Sequence, residues 1–171
     1  MTNKELIRDL NSKNNTVINK ALDFVSENGN PTIIPELINL LAENKNQEIK
    51  DKIISIFENL HDQNSLPYLV TALSEKKHIS IRAILVATCW KNNINFDNSI
   101  ELFTDLFIDG DFSEAFDAFT VIDAMQLVAD DSAAICINKL KNYYEKADEL
   151  KKSIIGELIK IIQNHRKNPA K

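Results

Sequence analysis

Three histidines, two cysteines and one Asp-Gly-Asp triplet are the residues whose types could carry chemistry in this chain. His61 falls in a turn leaving a helix and His78 in a turn entering one, so the two rings are not expected to meet; His165 lies near the C-terminus. No HExxH or CxxC spacing offers a zinc ion its ligands. Cys89 occupies a core phase of its helix and Cys136 lies between Ile135 and Ile137. A reactive thiol needs an accessible, electropositive setting, so both read as small buried hydrophobes. Asp109-Gly110-Asp111 opens like a calcium loop but lacks the further oxygen ligands and the distant bidentate Glu. Gly110 reads instead as a left-handed C-terminal cap, and Asp111 as the N-cap of the next helix. The glycines Gly29, Gly110 and Gly156 are isolated, so no phosphate-cradling loop is formed, and no serine is flanked by glycines as a nucleophile. No catalytic residue, metal or cofactor is expected.

The elements that would position these residues follow from composition and pattern. A chain of 171 residues, 44% hydrophobic with only 3 Gly and 4 Pro, is expected to fold as one domain over 1–171 and excludes a turn-rich β-sandwich. No apolar stretch is long enough to span a bilayer, and no secretory h-region opens the chain. Membrane partners are therefore not expected, and a reducing, cytoplasmic location is. Net charge is −5 and strongly segregated. Residues 92–138 carry 10 acidic groups and no Lys, Arg or His, whereas 139–171 carry 9 basic and 4 acidic groups. An acidic block repels phosphate, so nucleic acid is not expected as a partner; the block reads either as a solvated face whose field the basic last repeat partly cancels or as a surface for a basic partner.

Apolar residues recur at i, i+3, i+4 and i+7 almost throughout, as in Ile34, Leu37, Ile38, Leu41 and again Ile49, Ile53, Ile54, Phe57. The spacing predicts about ten helices of about 10–18 residues, with capping boxes at Thr2…Glu5, Asn98…Glu101 and Asp111…Glu114. A shift of about 32 residues superposes Pro35 on Pro67, Leu41 on Leu73, Ile49 on Ile81 and Ile53-Ile54 on Leu85-Val86. Such a period with two helices per unit predicts an α-solenoid. Its five pairs are expected at 2–28, 31–60, 65–92, 98–127 and 131–165, with a short tail at 166–171.

Ile49-Lys50 and Ile81-Arg82 place an aliphatic-basic pair early in each second helix, and Pro35 and Pro67 open the first helices. In these features the chain resembles HEAT repeats, the bacterial HEAT-like group above all, best over residues 31–92. Later units depart from the pattern, with Glu114-Ala115 in place of the aliphatic-basic pair. The resemblance implies an all-α, right-handed solenoid of five antiparallel helix pairs used for protein binding, and implies no shared reaction.

If Ile49, Ile53, Ile54 and Phe57 face the core, Asp51, Ser55 and Glu58 face away. The equivalent outward positions one and two units on are Ala83, Ala87 and Trp90, then Phe116, Thr120 and Asp123. In the HEAT-like fold the second helices line the concave surface. Small residues between Trp90 and Phe116, with Asp117 and Asp123 at hand, therefore predict a docking surface for a protein or peptide, the carboxylates suiting a basic one. The competing explanation is packing, with Trp90 folded back onto Ile94 and Phe96. The expected function is a non-catalytic scaffold or adaptor. The alternative is a nucleic-acid enzyme similar to the HEAT-like DNA glycosylases, for which Trp90 beside Lys91, with Asp51 or Asp123 as a carboxylate, is the only support.

Overall fold

The computed structural model of the chain describes residues 1–166. Among these the protein is all-α, with ten helices and no strand. Packing divides it into two compact units, Met1–Ile94 and a second from Asn95 onward, where a single array was expected over 1–171. The division falls at the polar interval Asn92–Asn98, in which residues 91–96 form no helix and so do not extend the helix pairing.

The first unit holds α1 (Asn3–Leu10), α2 (Asn15–Asn28), α3 (Ile34–Glu43), α4 (Gln47–Glu58), α5 (Leu66–Ser74) and α6 (Arg82–Cys89). Each start has a local cause. Thr2 and Glu5 close a reciprocal capping box on α1, and Asn14 and Asn46 accept amide hydrogens at α2 and α4. Pro35 and Pro67 occupy the first turns of α3 and α5, where a missing amide hydrogen costs nothing. The odd helices α1, α3 and α5 pack in sequence, α2, α4 and α6 do the same, and each even helix packs on the odd helix before it. The core lies between these two layers, around Leu6, Leu22, Leu37, Ile53, Phe57 and Leu85. Ile54, expected to share that core, is only half-buried, because its position lies on the flank of α4.

The second unit holds α7 (Ile100–Asp109), α8 (Phe112–Ala124), α9 (Asp130–Tyr144) and α10 (Glu149–Asn164). Here α7 packs on α8 and α9, and α10 on α8 and α9, around Phe103, Phe107, Ala118, Ile122, Leu140, Ile155 and Leu158. Helices span 8 to 16 residues, shorter at α1, α5 and α6 than the expected 10. At α5 and α6 the difference goes to the tight 3-10 turn Lys76–His78, which the hydrophobic period does not announce.

The repeat period reappears as contacts between neighbouring pairs. Lys52 meets Asp23, Lys91 meets Glu58 and Lys139 meets Asp105, each at 2.6 Å and each roughly one period apart in sequence. Exposed pairs of this kind contribute about 0–1 kcal/mol apiece, so they register the stacking more than they drive it. Arg166 pairs with Asp130 at 3.2 Å; the rest of the expected tail lies outside the described residues.

Two expected capping boxes are not completed. Residues 97–99 form a 3-10 turn and α7 starts at Ile100, so Asn98 does not cap it. Asp97 instead accepts the amide hydrogens of Gln126 and Leu127 at 2.9 and 3.2 Å, and Glu101 accepts from Ser132. Asp111 does cap α8 through the Glu114 amide, but Glu114 is buried and the return bond of a box is not formed.

Gly110 is not left-handed either: its φ is −73°. Glycine is needed there for space, since an added Cβ would stand 2.8 Å from the Leu106 carbonyl oxygen and 2.9 Å from the Glu114 Cβ. Gly110→Ala is therefore expected to destabilise the protein by about 1–3 kcal/mol, the scale of overpacking, as a lowered denaturation midpoint would show. A positive φ is found instead at Gly29 after α2 (φ 59°, ψ 139°), an extended conformation that glycine adopts readily and other residues do not.

Candidate functional site

Two solvent-facing strips carry the residues singled out from the sequence, one in each unit. On α6, Leu85, Val86 and Cys89 turn inward, which leaves Ala83, Ala87 and the C-capping Trp90 on the outer side. Trp90 is 42% exposed. Lys91 stands over its ring, the Nζ 5.4 Å from the centroid, and is held there by Glu58.

On α8, Ala115, Ala118, Val121 and Ile122 form the inward side, and Phe116 is 50% exposed on the outer one. Thr120 and Asp123 flank it, with the Thr120 hydroxyl donating to the Phe116 carbonyl at 2.9 Å; Asp117 is half-buried at the margin. The structure thus brings Ala83, Ala87 and Trp90 together within the first unit, and Phe116, Thr120 and Asp123 within the second.

The α8 strip holds more than the sequence reading assigned to it. Phe112 lies 6.3 Å from Phe116, and Phe119 stacks on Phe116 at 6.0 Å with the rings 8° from parallel. Residues 112, 116 and 119 follow the i, i+4, i+7 rule, so their common face was available from spacing alone. Helical rotation places all three within about 60° of arc and sets Asp123 in the same arc, one turn beyond Phe119.

The electrostatics differ between the two layers of this unit. The α7 carboxylates Glu101 and Asp105 meet Ser132 and Lys139 of α9, and Asp105 raises the pKa of Lys139 in return. The paired cations Lys152, Lys160 and Arg166 are engaged by Glu149, Glu157 and Asp130. None of these partners is on α8.

A buried cation was missed altogether. Lys151, 3% exposed, points its ammonium group at the end of α7 and donates to the carbonyls of Ile108 (2.8 Å) and Gly110 (2.6 Å). It also lies against the Tyr143 and Phe107 rings, 5.4 and 6.0 Å from their centroids. A lysine near the start of one helix capping another helix 41 residues away leaves no local signal.

The residues with the chemistry of nucleophiles or ligands lie apart from both strips. His61 is exposed, and His78 is buried with its Nε2 3.3 Å from Glu75. No group of three or more His, Cys, Asp or Glu gathers as a metal site among the described residues. Cys89 and Cys136 are buried free thiols, and burial pushes both pKa values up, Cys89 the further. Neither is expected to react with a thiol-specific disulfide reagent at neutral pH until the protein is denatured, which absorbance of the released chromophore would record. A cleft of about 190 Å³ opens in the first unit between the turns at Gly29 and His61, floored by Ile34, Leu37 and Ile56, and holds none of the predicted site residues. Among the described residues no helix is long and apolar enough to cross a membrane.

No protein-family model matches the chain, and no curated protein is significantly similar to it. The functional argument therefore rests on the two strips.

Proposed function

We propose that this protein is a non-catalytic interaction scaffold, an α-solenoid of HEAT-like helix pairs that binds protein or peptide partners through outward strips, that of α6 in the first unit and that of α8 in the second, each a surface in its own right. The observation that carries the proposal is the exposure of Trp90 beside Ala83 and Ala87 on α6 and of Phe116 beside Phe112 on α8. Large aromatics left exposed to this extent mark interaction surfaces, and aromatic side chains are enriched among interface anchors. The two-layer packing within each unit and the ion pairs one period apart support the repeat character.

The nucleic-acid alternative is disfavoured by the same geometry. Lys91, the cation beside Trp90, is neutralised by Glu58, and α8 presents carboxylates to an approaching phosphate. The test is an affinity capture from cell lysate with the intact protein as bait, run beside Trp90→Ala and Phe116→Ala baits, together with a DNA mobility-shift titration at low salt. A partner retained by the parent and lost by either variant is the expected result. Tight, salt-sensitive DNA binding without such a partner would reverse the assignment.

A further inference from the structure

We infer that the α8 strip is a docking site for an arginine-bearing segment of a protein partner, the guanidinium lying on the phenylalanine ladder and reaching the carboxylate at its end. This rests on the scaffold reading and names the chemistry of what the scaffold holds. Phe116 and Phe119 are parallel within 8°, and Phe112 and Phe116 remain 37% and 50% exposed, so aromatic surface is open to solvent over about one helical turn. A planar, weakly hydrated cation stacks on such faces, and arginine does so better than the compact, strongly hydrated ammonium of lysine.

Asp123 continues the strip one turn beyond Phe119, is exposed, and makes no ion pair among the described residues. Between residues 92 and 138 the chain has no cation of its own, and the paired cations of α9 and α10 face other carboxylates. Aromatic surface and the exposed Asp123 carboxylate thus coincide on one helix face, which is complementary to a side chain that carries both a long apolar stem and a positive fork. An anionic lipid surface fits poorly, because it would meet the same carboxylates.

Fluorescence anisotropy with the full chain and a labelled amphipathic peptide bearing arginines tests this, set against the same peptide with citrulline, lysine or glutamate at those positions. Citrulline keeps the planar shape and loses the charge. The arginine peptide is expected to bind roughly tenfold or more tightly than the citrulline one, and roughly threefold more tightly than the lysine one. Phe116→Leu, which preserves apolar volume, should remove the arginine-over-lysine preference. Asp123→Asn should weaken arginine binding and flatten its salt dependence, and keeps the test open if the Phe116 variant proves unstable. Equal binding of the arginine and citrulline peptides, or no binding of either, overturns the inference, while a partner lost from the lysate capture by Phe116→Ala would still uphold the scaffold. Self-association of the chain abolished by Phe116→Leu would assign the strip to a second copy and overturn it as well.

Discussion

Replacing Lys151 with alanine is expected to destabilise the protein by about 3 kcal/mol, the largest effect of any single change away from the apolar core. Its ammonium group is the donor to two carbonyls at the end of α7, where the helix leaves its last acceptors unsatisfied and its dipole is negative. Truncation strands the Ile108 and Gly110 carbonyls in a buried place and removes the stem packed against Phe107 and Tyr143. Lys151→Met separates the two contributions, because it keeps the stem and deletes only the donors; about 2 kcal/mol of the loss should remain. Urea denaturation followed by circular dichroism measures both. A methionine variant as stable as the parent would show that desolvating the cation offsets its hydrogen bonds, and that Lys151 is no cap in energetic terms.

The second large effect is expected in binding and not in stability. Trp90→Ala and Phe116→Ala should each weaken the captured partner by tenfold or more, since a buried aromatic anchor is worth about 2 kcal/mol. Both side chains stand on the exposed sides of their helices, whereas Cys89 and Val86 on α6 and Ala118 and Ile122 on α8 form the buried sides. Their substitution should therefore change the unfolding free energy by less than about 1 kcal/mol. Affinity and melting temperature measured on the same two variants decide the matter. If Trp90→Ala melts well below the parent and binds equally well per folded molecule, Trp90 belongs to packing and the α6 strip is not a docking surface.

Asp117→Lys or Asp123→Lys should act differently, slowing association with a basic partner and reducing its dependence on salt, because charges at the rim steer encounter more than they hold the complex. Stopped-flow association rates at two ionic strengths distinguish this from the loss of an anchor.

How much of this was determined by the sequence depends on the range of the interaction concerned. The helices and the outward phase of Asp51, Ala83, Trp90, Phe116 and Asp123 follow from the 3.6-residue rotation, a property each helix carries in its own residues. The buried state of Cys89 and Cys136 follows from the same phase. The caps divide along the same line. Thr2 and Glu5 meet across three residues and were foreseeable, whereas Asp97 leaves its own helix to hold Gln126 and Leu127, a choice open to it only once α7 and α9 are side by side. Gly110 shows the limit most plainly. Its position just past a helix points to a left-handed cap, yet its backbone is ordinary, and the requirement for glycine comes from the Leu106 carbonyl and Glu114 closing around it. Likewise the burial of Lys151 and the division at Asn95 arise from which helices pack together. Local periodicity decides which face of a helix is apolar, but only tertiary packing decides what a polar atom at its end will meet.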